Sequence, residues 1–189
     1  MKGYFKKVIN LSLAVLLIII SQATSAQQSK PKQKRKREVN ISITRDEILI
    51  NGQSIELPVK KEKIFELLGQ PTRVSNLANT IYTWDENGLF AYEGPESGQI
   101  FSFAICLNRF DAGHWPRSLF TGRLIIDEAP ITKTSEVTKI NRTKKGQPFI
   151  KTMKLWWNLE YPSYTVIITK GELHTFSETG KILSVAVSK

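Results

Sequence analysis

Apolar and polar residues alternate at Val39, Ile41 and Ile43, the two-residue period of a strand with one buried face. Arg45-Asp46-Glu47 interrupts this as a turn, and Ile48-Leu49-Ile50 resumes the apolar run. Asn51-Gly52 follows, and both residues tolerate the positive φ of a type I′ turn. Residues 54–57 therefore return as the hairpin partner, until Pro58 stops it. The period then changes. Ile64, Leu67 and Leu68 share one face, with Lys60, Lys61, Lys63 and Glu66 mostly off it, which predicts a short helix over 60–68. Gly69 suits the left-handed position after a helix, and Pro71 bars continuation. Strands are predicted over 80–84, 89–92 and 99–107, separated by turns at 85–88 and 94–98.

The second half of the chain echoes this order. Ile48-Leu49-Ile50-Asn51-Gly52 lines up with Leu124-Ile125-Ile126-Asp127-Glu128, and Gly69-Gln70-Pro71 with Gly146-Gln147-Pro148. Trp84 lines up with Trp157, and residues 98–105 with residues 180–187. The pattern predicts an α+β fold of two tandem, diverged β-hairpin–helix–antiparallel-sheet units, over 39–107 and 121–189, joined by a connector over 108–120. The alternative is one irregular α+β sheet with accidental echoes. The second helix region, 135–141, is short and rich in β-branched residues, which form helix poorly. In this alignment Asp85 meets Asn158, so a functional acid at Asp85 would exist in one half only.

Charge changes the picture at the N-terminus. The 189 residues carry a formal net charge of +10, but from Val39 onward 18 basic residues face 16 acidic ones. Residues 1–26 read as a secretory signal peptide: Lys2, Lys6 and Lys7, an apolar run over 8–20, then Thr24-Ser25-Ala26 as a cleavage site after Ala26. The run is short of the ~20 residues a spanning helix needs, although an uncleaved anchor is the alternative. No later segment is apolar enough to span a bilayer, so no transmembrane segment is expected after signal removal, and the mature chain is expected to be periplasmic or secreted. Lys30, Lys32, Lys34, Arg35, Lys36 and Arg37 then concentrate charge in a basic, disordered tail over 27–38. This tail is either a solvated linker or a contact for an anionic envelope surface, at about 1 kcal/mol per basic residue. No nucleic-acid partner is expected, because no aromatics interleave with the charges to stack bases.

Little conventional catalytic chemistry is visible. One cysteine excludes a disulfide framework and a multi-cysteine zinc site, and His114 and His174 stand alone, so neither a metal nor a cofactor is expected. Nucleophile elbows and phosphate loops are missing. Cys106 lies in an apolar strand and reads as a small core residue. The pairs Asp85-Glu86 and Asp127-Glu128 sit on turns, where neighbours do not converge on one substrate atom, and the turn explains Asp85 as an Asp bonding its own following backbone. The connector is the stronger candidate, since it holds Arg109, Phe110, Asp111, His114, Trp115, Pro116 and Arg117. Aromatic and Arg residues anchor interfaces. The candidate contact residues are Arg109, His114, Trp115 and Arg117, with Trp84 and Asp85 beside them. The competing reading makes the connector a structural bridge whose Trp115 and Phe120 plug the seam between halves.

The run Ile50-Asn51-Gly52, Leu68-Gly69-Gln70-Pro71 and Trp84-Asp85-Glu86-Asn87-Gly88 resembles an uncharacterised family of bacterial domains of unknown function, as does Trp115-Pro116 followed by Phe120 and Gly122. The resemblance covers 39–189, is strongest before Leu107, and implies no activity. More loosely, a helix ending Leu-Gly-x-Pro before an antiparallel sheet is similar to small envelope-assembly lipoproteins and to secreted β-lactamase-inhibitory proteins. Both are binding modules, although the chain lacks the lipoprotein cysteine. The expectation is an exported, non-enzymatic protein-binding module of the cell envelope with an unidentified protein partner. The alternatives are a hydrolase of unknown substrate built on Asp85, His114 and Cys106, or a protein docked on the envelope surface by its basic tail.

Overall fold

The computed structural model describes residues 38–95, 98–172 and 177–189. The expected signal peptide over 1–26 lies outside the described residues, as do Lys30, Lys32, Lys34, Arg35, Lys36 and Arg37 of the expected tail, His174, and Glu96-Ser97 in the 94–98 turn.

The alternating isoleucines make a small sheet. Strands β1 (Asn40–Ile43), β2 (Ile48–Ile50) and β3 (Gln53–Ile55) are joined by β9 (Arg123–Ile126) and β10 (Ala129–Ile131) in the order β10-β9-β1-β2-β3. Strand β1 runs antiparallel to β2 but parallel to β9, with Ile41 opposite Leu124 and Ile43 opposite Ile126. Ile41, Ile43, Ile48, Ile50, Leu124 and Ile126 are all essentially sealed from water. Each such side chain contributes about 2 kcal/mol of transfer free energy, and this fixes which face of the sheet points inward. Asn51 and Gly52 adopt φ of 53° and 78°, as a type I′ turn requires.

Two short helices follow the two hairpins. Helix α1 (Lys61–Leu68) buries Ile64 and Leu67, and helix α2 (Val137–Thr143) buries Val137 and Ile140. Gly69 has the expected positive φ, 86°, and its N–H bonds the Phe65 carbonyl. Its ψ of 177° sends the chain outward instead of into a left-handed turn, a correction to the expected helix end.

The remaining strands form a large sheet of nine. They are β4 (Val59–Lys60), β5 (Arg73–Asn76), β6 (Thr80–Trp84), β7 (Leu89–Glu93), β8 (Gln99–Cys106), β11 (Ile150–Met153), β12 (Trp156–Glu160), β13 (Thr165–Glu172) and β14 (Ser177–Ser188). Their order is β11-β12-β13-β14-β8-β7-β6-β5, with β4 added beside β8. Strands β8 and β14 meet antiparallel in the middle, with Ala104 opposite Ala186. Strands β4, β5 and β11 were not expected from the pattern. Strands β5 and β11 are sheet edges, and the polar Arg73-Val74-Ser75-Asn76 and the wholly exposed β11 carry no buried face to betray a strand.

The architecture is mixed α+β and mostly sheet. Trp84, Phe103, Ile105, Ile168, Val185 and Val187 on the inner face of the large sheet pack with the small sheet and both helices in one core. The outer face carries a second core of Ile81, Phe90, Ala104, Cys106 and Trp115. No helix among the described residues is long and apolar enough to cross a membrane.

Candidate functional site

The connector lies over the outer face of β6 and β7, where Asp85 pairs with Arg73 and more distantly with Arg117, and where Thr83, Asp85 and Cys106 also bond its backbone. Asp85, in the turn after β6, is buried and points both carboxylate oxygens at Arg73 of β5, which donates Nε–H to Oδ2 at 2.8 Å and Nη2–H to Oδ1 at 2.9 Å. Arg73 also donates to the carbonyls of Gly113 at 2.6 Å and Trp115 at 2.8 Å, while the Arg117 backbone N–H donates to Asp85 Oδ1 at 2.8 Å. The adjacent guanidinium therefore holds the Asp85 carboxyl below the usual carboxylate range, against the opposing effect of burial.

Around this clamp the connector's aromatics are packed away. Trp115 lies 5.6 Å from the Phe90 ring and 5.4 Å from Phe110, and its Nε1–H bonds the Asn108 carbonyl at 3.1 Å. His114 stands edge-on to Phe90 at 5.1 Å, and burial lowers its pKa. Trp84 is buried in the inner core and donates to the Gly69 carbonyl at 2.8 Å. Of the six candidate contact residues, Arg109 and Arg117 face solvent, His114 is half-buried, and Trp84, Asp85 and Trp115 are buried.

Asp85, His114 and Cys106 do not converge. No hydrogen bond or ion pair among the described residues joins any two of them. Cys106 is fully buried, and burial raises its thiol pKa far above the ordinary range, which removes the thiolate a nucleophile needs. No three His, Cys, Asp or Glu side chains among the described residues group as a metal site would.

A second polar cluster escaped sequence reasoning. The β9–β10 turn is Asp127-Glu128, with φ of 44° and 70°, the left-handed conformation that Asn51-Gly52 adopts in the first hairpin. Non-glycine residues occupy this region at a cost. That is the signal that could have found the site, because Asp-Glu replaces an ordinary Asn-Gly. Asp127 Oδ2 accepts from Lys144 Nζ at 2.8 Å and from the Tyr161 hydroxyl. The Lys144 side chain is only 1% exposed and also donates to the Lys145 carbonyl at 2.9 Å. Tyr161 belongs to the turn between β12 and β13, where Tyr164 donates to the carbonyls of Thr44 and Glu47. Burial, reinforced by Asp127, raises the pKa of Tyr161, so the phenol stays protonated as a donor. Three turns and the segment after α2 thereby enclose a cleft of about 370 Å³, lined by Arg45, Asp127, Gly146, Gln147, Glu160, Tyr161 and Pro162.

A third feature is apolar and open. Trp156, Met153 and Ile150 are 40%, 60% and 65% exposed. The register sets Met153 opposite Trp156 and Ile150 opposite Asn158, which places all three on the outer face of β11 and β12.

The fold and these sites define a mixed α+β domain with no recognisable catalytic constellation among its described residues. The chain belongs to the family DUF7738, a domain of unknown function, whose model it matches over residues 40–141, more than half of its length. No curated protein and no solved structure matches the chain.

Proposed function

We propose that the chain is an exported, non-enzymatic binding module of two related halves, and that it holds a protein partner on the open outer face of β11 and β12. The exposed cluster of Ile150, Met153 and Trp156 carries this reading, since contiguous exposed apolar side chains mark interaction surfaces.

Strand order supports the pairing of halves. Both run hairpin, helix, then four meandering strands, and the large sheet reads alike from either edge to its centre at Ala104 and Ala186. Counting outward from that centre, Trp157 matches Tyr82, not Trp84, and Asp85 matches Glu160, not Asn158. The same count matches Ile150 to Arg73. One half thus uses Arg73 to fasten the connector over its outer face, while its counterpart leaves an apolar side chain in the open.

Export rests on the signal-like residues 1–26, and mass measurement of the mature chain should find an N-terminus at Gln27. A photo-crosslinking amino acid at position 156, in cells, should give a discrete protein adduct that the same probe at exposed position 139 on α2 does not. An exported chain with no adduct from 156 or 153 would remove the partner-binding reading.

A further inference from the structure

We infer that the cleft over Asp127 is a binding site for a small zwitterion, taking its ammonium group on carboxylates and its carboxylate on Arg45. The cleft lies at the end of β12 opposite the exposed Trp156, so it is independent of the sheet-face reading.

Its polar groups are already sorted by what they have left to offer. Lys144 is sealed, and the atoms around its ammonium are Asp127 Oδ2 and the Lys145 carbonyl, so its charge is spent inside the protein. Tyr161 also donates to Oδ2. Both internal donors thus fall on one oxygen of Asp127, and Oδ1 has no hydrogen-bond partner among the described residues. It is not a buried orphan either, because the one buried side-chain polar atom lacking a partner among the described residues is Trp157 Nε1. Asp127 lines the cleft, and Oδ1 is the carboxylate oxygen that its two internal donors leave unused. Glu160, also in the lining, uses Oε2 to accept from Thr165 at 2.6 Å, which leaves Oε1 without a partner among the described residues. Arg45 is exposed and forms no ion pair among the described residues, and its guanidinium is the cleft's remaining donor of positive charge.

This donor set selects its ligand. Two acceptor oxygens suit an ammonium, and a guanidinium suits a carboxylate by two parallel bonds. The Tyr161 ring and Pro162 supply apolar wall for the carbon skeleton. A volume of about 370 Å³ accommodates a free α-amino acid or a dipeptide. A simple anion would meet Asp127 and Glu160, and a simple cation would leave Arg45 unused. Internal neutralisation of Asp127 by a buried lysine also keeps the carboxylate in place while the cleft is empty, so little reorganisation is needed on binding.

The test uses the full chain and a panel of L- and D-α-amino acids and dialanine, with N-acetylated and C-amidated forms of each as controls. Thermal stabilisation at 10 mM, followed by calorimetry on the best member, reads binding. At least one zwitterion should bind, both blocked forms should bind at least tenfold more weakly, and Arg45→Gln and Glu160→Gln should each weaken binding at least tenfold. Both variants alter exposed side chains and should melt like the parent. Failure of every zwitterion to stabilise the chain would overturn the proposal, as would binding insensitive to both variants. Selection of free amino acids over dialanine, or the reverse, identifies the source. The adduct test at position 156 is unaffected by either result.

Discussion

Arg73 and Asp85 face each other side by side, with two parallel N–H···O bonds of 2.8 and 2.9 Å, and the same guanidinium reaches on to two carbonyls of the connector. One side chain on a polar edge strand thus fastens a loop over an apolar sheet face. Arg73→Leu takes the bidentate partner from the buried Asp85 carboxylate and leaves it the Arg117 N–H and a guanidinium at 3.8 Å, which should cost about 2–3 kcal/mol. Urea unfolding should register that loss. Amide exchange at Trp115, Arg117 and Ser118 should also quicken, while Ile168 in the inner core stays protected. Unchanged exchange in the connector would show that Arg73 does not hold it.

The same pair sets an acid limit. Asp85 has its pKa lowered in the folded state, first by Arg73. Its contribution is therefore complete above the unfolded carboxylate value of about 3.9 and fades as pH falls through the folded value. The stability gap between the parent and Arg73→Leu should shrink between neutral pH and about pH 3. A gap of constant size would contradict the linkage.

At the alkaline end the sign reverses. Burial pushes Tyr164 up to about 12, and its hydroxyl donates to the carbonyls of Thr44 and Glu47. A phenol raised in the folded state stabilises fully below its unfolded value of about 10 and loses that contribution as pH rises towards the folded one. Up to about 2 kcal/mol should vanish over this window. Tyr164→Phe should have a flatter stability profile there, measured by denaturant midpoints. Tyr161 is raised too, and acts in the same direction.

Two glycines with positive φ should respond very differently to alanine. At Gly88 (φ 68°) a Cβ would collide with the backbone of Leu119 and Phe120, where the connector returns to the sheet. At Gly52 (φ 78°) it would meet nothing within 4 Å. Gly52→Ala should cost about 1 kcal/mol, the conformational penalty alone. Gly88→Ala should cost several times that, or prevent folding, because the neighbours are backbone. Comparable melting temperatures for the two variants would refute the packing argument.

The buried Lys144 offers a double-mutant test. Asp127→Ala strands an ammonium that is 1% exposed and should cost about 3–5 kcal/mol. Adding Lys144→Met removes the stranded charge and should restore most of the loss. Additive losses in the double variant would mean that the pair is not energetically coupled.

What the sequence determined alone is local. The Val39–Ile43 alternation, the Asn51-Gly52 turn, the stripe of Ile64 and Leu67 and the β6, β7 and β8 strands follow from side-chain period and turn conformation, which act over a few residues. The tertiary structure decided the rest. Edge strands β5 and β11 have no buried face of their own, so their pairing depends on neighbours already in place. The parallel contact of β1 with β9 joins segments about eighty residues apart, which no short-range pattern encodes. Trp115 looks the same in sequence whether it faces a partner or plugs a core, and only the sheet face beneath it makes it buried. Asp127, Lys144 and Tyr161 come from a turn, a helix end and a second turn. Their carboxylate, ammonium and phenol meet because burial forces polar groups to find one another, wherever along the chain they begin.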